Sequence, residues 1–283
     1  MILSFHPCFV ADHQIILGHR SISSEDFSLI KQADAIILPQ SCSHELFLAC
    51  KAPSKQLFPN YETRFKYPGK VGQSLLFKKV CCSHPETLKW NSVEDFRKAC
   101  RDFFPHDMPF LMKADEVHEA DGVYFIEDIE TMESSLVRLH NMERSGSMGF
   151  ISQELIPTDG DVLRVVIIGR RTIAYWKRPE KPGQIITSIS KGARIDRHWR
   201  NDLREKGETQ ALNLSAVAGI NLAAMDFIFT LAEPDPRPLI IDINYYFGRR
   251  GLGGSLNYYA LLFEAIKGWL LENGFDPESI SPV

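Results

Sequence analysis

The chain has 283 residues, which at roughly 150 residues per domain indicates about two domains. Apolar residues make up 44% and charged residues 24%, so the composition is that of a folded globular protein and excludes a largely disordered chain. Lysine and arginine total 32 against 36 aspartate and glutamate residues. This mildly acidic balance, with no basic block, argues against a dedicated nucleic-acid-binding protein, because such proteins bind mainly through Lys and Arg contacts to phosphates.

No segment of the sequence predicts a membrane span or a leader. The uncharged run from Thr209 to Met225 contains Asn213, Ser215 and Asn221, which favours a core helix over a membrane helix. The first residues lack a basic region and a small-residue cleavage site, so we expect no signal peptide. The six cysteines form no CxxC pair, and we expect them to be reduced in a cytoplasmic protein with no membrane partner.

The first forty residues alternate between strand and helix patterns. Apolar runs predict strands over Ile2 to Val10 and Ile15 to Leu17. Ser24 to Lys31 has a helical pattern, with Ser23 or Ser24 as its N-cap, and Ala35 to Leu38 predicts a further strand before Pro39. This order indicates a small α/β unit with a parallel sheet.

A second unit starts near residue 83, after a predicted helix over Lys70 to Val80. A hairpin is predicted around Gly169, and Ser92 is predicted to cap a helix. The remaining predicted strands are Pro109 to Lys113, Gly122 to Ile126, Phe150 to Ile156, Ala224 to Leu231 and Pro238 to Asn244, and the remaining predicted helices are Asp128 to Leu139, Ala211 to Gly219 and Leu256 to Asn273.

Three oxygen-bearing side chains stand out on the last two predicted strands. Asp226 opens an apolar strand, and Asp242 and Asn244 lie two apart on the next one, so a period of two places the latter pair on one face. Mg²⁺ takes one or two carboxylates and fills its other positions with water and substrate phosphates. The spacing therefore favours a magnesium site, and the alternative is a solvated sheet edge with turn-forming Asp and Asn.

Two further polar groups end predicted strands. Lys113 ends the strand PFLMK, and a lysine there can neutralise a nucleotide phosphate; an exposed strand-terminal lysine is the alternative. Gln153 and Glu154 precede Leu155 and Ile156, a segment that could present backbone groups and a carboxylate to an adenine and a ribose.

The order of these segments is more specific than any one of them. The lysine strand is followed by the QELI strand, the hairpin LRVVIIGRRTIAYWKR, the TSISKGA segment, a helix, and finally Asp226 and the Asp242-Ile243-Asn244 motif. This order resembles the ATP-grasp superfamily, which includes glutamate ligases of ribosomal protein tails, glutathione synthetases and inositol polyphosphate kinases. The resemblance covers roughly residues 60 to 265.

The resemblance implies a fold and a domain organisation. The expected fold class is α/β: an ATP-grasp fold of α+β subdomains, with a small α/β domain preceding it at residues 1–82. The ATP-grasp domain would comprise residues 83–283, divided into a small subdomain (83–150) and a large subdomain (151–283), with ATP bound between the two.

The resemblance also implies roles for single residues. Lys113 would contact the α- and β-phosphates, Gln153, Glu154 and Ile156 would form the hinge around the adenine, and Lys191 and Ser188 lie in a segment where relatives often carry a basic residue and an Asn. Asp226, Asp242 and Asn244 would bind Mg²⁺, with Mn²⁺ as an alternative. The predicted catalytic residues are Arg164, Arg178 and Arg250.

Two of these assignments leave alternatives open. Lys177 adjoins Arg178, and only one of the two can face the site. Arg249 adjoins Arg250 in the loop where relatives bind the acceptor, and the pair could hold an anionic group, with a basic surface loop as the alternative.

Two departures from the family pattern accompany the resemblance. Most relatives carry a glycine-rich loop after the lysine strand, whereas residues 114–122 here contain Gly122 as their one glycine, four carboxylates and His118. Asp242 stands where many relatives carry Glu.

The activity implied is ATP-dependent ligation of a carboxylate to an amine through an acyl phosphate. The substrates would be small-molecule or peptide carboxylates and amines, with a homo-oligomer left open and no nucleic-acid or membrane partner. Two alternatives remain: a kinase of the same fold acting on a hydroxyl group, which the Asp-Ile-Asn motif favours, and a nucleotide-binding protein with little turnover, which the glycine-poor segment favours.

Overall fold

The structure is a computed structural model, and it describes residues 1–102, 104–115, 122–146, 149–181 and 192–283. In these ranges the strands belong to three larger sheets and one two-stranded ribbon. No helix within them is long and apolar enough to cross a membrane.

The N-terminal sheet is parallel, as the alternating pattern predicts, and its order is β3-β1-β4-β5. Ser23 caps the first helix in a reciprocal capping box with Asp26. The elements of this part are β1 (Ile2–Ser4), β2 (Phe9–Val10), β3 (His13–Gln14), α1 (Ser24–Gln32), β4 (Ala35–Ile37), α2 (His44–Cys50), β5 (Gln56–Phe58), α3 (Glu62–Lys66) and α4 (Gly69–Lys79).

The second sheet is antiparallel, in the order β6-β9-β7-β8. Its elements are β6 (Thr87–Trp90), α5 (Val93–Asp102), β7 (Phe110–Ala114), β8 (Val123–Ile126), α6 (Ile129–Arg144) and β9 (Phe150–Glu154). Phe110 and Met112 point into a core that includes Val93 and Leu136 from the two helices. Since side chains alternate along a strand, Lys113 lies on the other face of the sheet.

The third sheet is antiparallel and carries the order β12-β11-β10-β13-β14. Its elements are β10 (Val162–Ile168), β11 (Arg171–Arg178), β12 (Arg194–Asp196), α7 (Asn201–Ala218), β13 (Leu222–Phe229) and β14 (Pro238–Asn244), followed by a 3-10 turn (Arg250–Leu252), α8 (Ser255–Glu272), a second 3-10 turn (Pro277–Ser279) and β15 (Ser281–Pro282).

Both faces of the third sheet are buried, which explains why its strands are apolar almost throughout. Val166 and Ile168 pack with Tyr258 and Leu262 of α8, and we call this side the α8 face. Leu163, Val165 and Ile167 pack with Leu203 and Leu214 of α7 on the opposite side, the α7 face. Even-numbered residues of β10 therefore lie on the α8 face, and odd-numbered residues lie on the α7 face.

Several element bounds differ from the sequence predictions. The predicted strand from Ile2 to Val10 is two short strands separated by a turn, because Ser4 Oγ accepts a hydrogen bond from the backbone N–H of His6 and donates one to Phe9 O. The predicted strand Ile15 to Leu17 lies instead at His13–Gln14. Helix α7 begins ten residues before the predicted start at Ala211. β9 pairs with β6 as far as Gln153 and with β7 as far as Glu154, so it ends two residues before the predicted Ile156.

Candidate active site

A buried carboxylate lies at the centre of the α8 face of the third sheet. Asp226 accepts hydrogen bonds from Arg164 Nε at 2.8 Å and from another nitrogen of that guanidinium at 2.7 Å, and from Lys177 Nζ at 2.9 Å. The strand register pairs Arg164 with Asp226 across β10 and β13. Burial alone would raise the pKa of Asp226, but the Arg164 and Lys177 charges hold it well below its usual range.

The second sheet contributes a buried lysine, Lys113. Lys113 Nζ donates to Gln153 Oε1 at 2.6 Å, and Gln153 Nε2 in turn donates to Thr87 Oγ1 at 2.8 Å. Burial, together with the nearby Lys70 charge, lowers the pKa of Lys113 to about 8, although Asp242 and Asp226 oppose that shift. Lys113 is therefore a preorganised cation that lacks a carboxylate partner among the described residues, rather than an exposed strand end.

Asp242 and Asn244 lie beside Asp226 on the same face. Asp242 is the register partner of Asp226, and Asn244 is the partner of Ala224. Asn244 Nδ2 donates to Asp242 Oδ2 at 3.1 Å, and Lys70 Nζ lies 3.6 Å from Asp242 Oδ1. The Asp242 side chain keeps 25% of its surface exposed, so it is open to a ligand.

The cluster contains more positive than negative charge. Four cations, Lys70, Lys113, Arg164 and Lys177, converge on two carboxylates. We call these six residues with Asn244 the cation cluster. Since buried like charges repel strongly in a low dielectric, such a surplus indicates a site for an anion with several charges.

The predicted metal set is only partly available in this arrangement. Both oxygens of Asp226 are occupied by Arg164 and Lys177, so Asp226 serves as a counter-ion here and not as a free ligand. No group of three or more His, Cys, Asp or Glu residues within the described ranges could hold a metal ion. Asp242 and Asn244 remain, and two oxygen ligands with phosphates and water completing the shell suit Mg²⁺ or Mn²⁺.

The structure places Lys177, and not Arg178, in the cluster. Arg178 follows Lys177 along β11 and therefore lies on the α7 face. Its Nε donates to the buried Asp161 at 3.0 Å, and its guanidinium stacks 4.1 Å from the centre of the Trp199 ring. The prediction that Arg178 lines the site is corrected on this ground, and Lys177 takes that position.

The residues predicted to form the hinge around the adenine lie at and after the end of β9, which pairs with β7, the strand of Lys113. Gln153 is buried and holds Lys113, whereas the Glu154 carboxylate accepts the backbone N–H of Glu86 at 2.6 Å. Glu154 and Ile156 line a cavity of about 350 Å³ together with His84 and Leu239. This cavity lies where the second sheet meets the β13–β14 hairpin.

The two arginines after the metal motif have different environments. Arg250 is exposed. Arg249, in contrast, is partly buried, and its guanidinium lies 4.7 Å from the centre of the Tyr258 ring and 4.5 Å from that of Tyr259. The structure therefore favours Arg249 over the predicted Arg250 as the inward member of the pair. Lys191, Ser188 and His118 lie outside the described residues.

Sequence reasoning missed Lys70 and the residue that positions it. Gln73 Nε2 donates to Ile243 O and Gln73 Oε1 accepts from Ile243 N, both at 2.8 Å, which fixes α4 against β14. Asp115 accepts from the backbone N–H groups of Lys70 and Val71 at the start of that helix. The available signal was the Pro68-Gly69 helix start, which places Lys70 in the first turn.

Comparisons with known proteins agree on the architecture. No family model matches the chain. It is similar to a probable alpha-L-glutamate ligase of Azotobacter vinelandii, with 24% identity over 145 residues, which is 51% of this chain and 44% of that protein. The chain thus spans less than half the length of this curated relative.

Solved structures extend the likeness to most of the chain. A RimK domain protein ATP-grasp from Sphaerobacter thermophilus matches with a TM-score of 0.56 and 14% identity, covering 92% of this chain and 97% of that one. D-alanine–D-alanine ligase from Bacillus anthracis matches with a TM-score of 0.61 and 12% identity, covering 90% and 86%. This chain has the ATP-grasp fold.

A third match has a nucleotide in its crystal. N5-carboxyaminoimidazole synthetase from Staphylococcus aureus, complexed with ADP, has a TM-score of 0.58 and 11% identity, and covers 84% of this chain and 60% of that one. At these identities the likeness shows the fold. The predicted fold class, an α/β ATP-grasp fold, is confirmed, and the cation cluster lies between the two antiparallel sheets of that fold.

Proposed function

We propose that this chain is an ATP-dependent carboxylate–amine ligase that binds Mg-ATP between its two antiparallel sheets. The observation that carries the proposal is the cation cluster, in which Lys113 from the second sheet and Lys70 from α4 approach Asp242 of the third sheet. The triphosphate of ATP supplies the multiple negative charges that this surplus requires. The named relatives, which are ligases, support the same activity.

The phosphates would be held by two lysines from different elements. Lys113 is fixed by Gln153, and Lys70 is fixed by its place in the first turn of α4. Asp242 and Asn244 would hold Mg²⁺, which supplies Lewis-acid neutralisation of the phosphate oxygens when bound. The cavity at Glu154 and Ile156 would take the adenine, and Lys191 stays a predicted nucleotide contact.

The reaction transfers one phosphoryl group and then releases it. A carboxylate oxygen of the first substrate bonds to the γ-phosphorus of ATP while the bond to the ADP oxygen breaks. The amine nitrogen then attacks the acyl carbon, inorganic phosphate leaves, and the nitrogen loses a proton to solvent. Arg164 and Lys177, held by Asp226, lie on the face where negative charge would develop and can stabilise it without reorganising.

The cysteines bear on the cellular compartment in which the protein would act. All six cysteines, each in the described ranges, are free thiols, which supports a reducing compartment such as the cytoplasm. The substrates would be small molecules or peptides that carry a carboxylate and an amine. A homo-oligomer remains part of the proposal.

A nucleotide-binding protein with little turnover is the second candidate. It is favoured by the side chain of Asp115, which occupies the N-terminal N–H groups of α4 in the segment where relatives carry glycines. An anionic group at this place competes with phosphate for the same helix terminus.

The test is ADP release with a panel of amino acids, dipeptides and amines, measured with Mg-ATP. A ligase releases ADP and phosphate only when a carboxylate and an amine are both present, and mass analysis then identifies the amide product. ADP formed with a phosphorylated hydroxyl compound would establish a kinase instead. Tight Mg-ATP binding without substrate-dependent ADP release would establish the second candidate.

A further inference from the structure

We propose that Arg249 and His6 form a subsite for a carboxylate that the amine substrate carries and keeps, so that this substrate is an α-amino acid or a peptide and not a simple amine. This inference rests on the proposed ligase function and deepens it. The inference assigns a class of substrate to a part of the molecule that lies outside the cation cluster.

The subsite lies at the carboxyl ends of two neighbouring parallel strands. His6 follows β1, and Gln40 follows β4. The sheet order β3-β1-β4-β5 means that the chain leaves β1 on one side for β3 and then returns to the other side for β4. Ligands of open parallel sheets bind in the crevice at such a switch point, outside the carboxyl ends of the strands.

His6 is buried and rigidly held there. It is 4% exposed, its backbone O accepts a hydrogen bond from Gln14 Nε2 at 3.1 Å, and its backbone N–H donates to Ser4 Oγ. The turn is also attached to the C-terminal segment, because β15 pairs with β2 and Val283 N donates to Cys8 O at 3.1 Å. A side chain so fixed can recognise a ligand without paying an ordering cost.

The protonation state of His6 follows from its contacts. Its Nδ1 accepts the backbone N–H of Cys8 at 3.1 Å, so the proton of the neutral ring lies on Nε2. Burial and the charge of Arg249 lower the pKa of His6 to about 4, which keeps the ring neutral at pH 7. Nε2–H is then a donor with no acceptor in hydrogen-bond distance among the described residues.

Arg249 contacts the same tyrosine as the His6 ring. Its guanidinium stacks 4.5 Å from the centre of the Tyr259 ring, and the His6 ring meets that tyrosine edge-on at 5.9 Å. Its guanidinium makes a long contact of 3.4 Å to Ser255 Oγ and also interacts with the Tyr259 hydroxyl, and it forms no ion pair among the described residues. A fixed guanidinium with free N–H groups is suited to a carboxylate, which it binds through two parallel hydrogen bonds.

The subsite is linked to the cation cluster through one buried side chain. Gln40 Nε2 donates to Tyr245 O, the residue after Asn244, and Gln40 Oε1 accepts from Tyr258 OH at 3.3 Å. Arg249 is five residues beyond Asn244. A substrate bound between the subsite and the cation cluster would place its amine towards the acyl phosphate and its own carboxylate on Arg249.

The charges select a carboxylate over a phosphate. The subsite offers one cation and one neutral N–H donor, which balance a monoanion. The cation cluster, by contrast, offers four cations and suits a polyanion. The reacting carboxylate must reach the γ-phosphate and so belongs to the cluster, which leaves the retained carboxylate of the amine substrate for Arg249.

The test measures binding to the full-length protein without turnover. We would assign the His6 ring signal by NMR from its loss in His6→Gln, and titrate wild type with a panel of L-amino acids and with the matching amino-acid amides. We expect at least one acid to shift the His6 signal with a Kd about 10- to 100-fold lower than that of its amide. Arg249→Ala should remove this preference, and the matched control Arg250→Ala should keep it.

The outcomes separate this inference from the proposed function. Equal binding of acids and amides, absence of any shift across the panel, or a preference that survives in Arg249→Ala would overturn the carboxylate subsite. None of these results depends on ATP, whose binding and turnover are measured separately. If Arg249→Ala is misfolded by far-UV circular dichroism, Arg249→Lys serves instead, and retention of the full preference in that variant would also overturn the inference.

Discussion

Asp226 and Asp242 face each other across two neighbouring strands, yet their surroundings give them different chemistry. Asp226 is buried and neutralises Arg164 and Lys177, so it orders two cations. Asp242 is partly exposed and pairs with Lys70 at 3.6 Å, so it can bind a ligand. Equivalent carboxylates in the sequence thus become a positioning group and a candidate metal ligand.

Adjacent cations on β11 allow a direct comparison at the residue scale. We expect Lys177→Met to lower kcat/KM for ADP release at least about 100-fold, because it removes a buried charge at the site where the acyl phosphate would form. Arg178→Met should change kcat/KM less than about fivefold while lowering Tm, since it leaves the buried Asp161 without its partner. A larger activity loss in Arg178→Met than in Lys177→Met would reverse the assignment.

The lowered pKa of Lys113 predicts a pH dependence of ATP binding. The free protein carries the Lys113 charge below pH 8 and loses it as the pH rises through about 8. ATP affinity should therefore be level below that pH and fall by about tenfold per pH unit above it. Calorimetric titrations of Mg-ATP between pH 6.5 and about 9.5 measure this, with Lys113→Met as the control that should bind weakly at every pH. The same decline in the variant would assign the effect to another group.

At the scale of elements, the third sheet was more predictable than the N-terminal part. Strands β10, β13 and β14 are long and apolar, and the hairpin turn at Gly169 is explicit in the sequence. Their order and the period of two were enough to bring Asp226, Asp242 and Asn244 to one face. The choice between Lys177 and Arg178 was not predictable. Alternate residues of β11 point to opposite faces of the sheet, and the sequence does not show which of the two faces carries the site.

Short elements and long-range contacts were not predictable for a similar reason. The apolar run from Ile2 to Val10 hides the turn at His6, which depends on Ser4 and Gln14 side chains. Lys70 in the first turn of a helix has the appearance of a solvent-exposed residue. Its role emerges only when Gln73 fixes α4 against β14, a contact that spans 170 positions in the sequence.

The Gln73 contact gives a prediction about this pair of elements. We expect Gln73→Leu to destabilise the protein by about 1–3 kcal/mol, because the N–H and C=O of Ile243 lose their partners. It should also raise the KM for ATP, since Lys70 is no longer fixed beside Asp242. Urea unfolding and steady-state kinetics measure the two effects, and Lys78→Leu on the exposed side of the same helix should show neither. Unchanged stability in Gln73→Leu would contradict the link.

For the whole molecule, the two candidate subsites divide the chemistry between different parts of the fold. The cation cluster lies between the two antiparallel sheets, and the Arg249–His6 subsite lies at the edge of the parallel N-terminal sheet, with Gln40 connecting them. The C-terminal segment pairs with β2 and so supports the His6 turn. Nucleotide and amine substrate would then meet at Asn244, where the two sites adjoin.

Isotope transfer from the substrate can show whether ATP activates a carboxylate at the cation cluster. The protein is incubated with Mg-ATP, an amine and a carboxylate substrate labelled with ¹⁸O, and the released inorganic phosphate is examined by mass spectrometry. Because the carboxylate oxygen bonds to the γ-phosphorus and leaves with it, we predict labelled phosphate in proportion to the ADP formed, and neither product in Asp242→Asn. ADP release with unlabelled phosphate would contradict this mechanism, since it would mean that water, and not the carboxylate, attacks ATP.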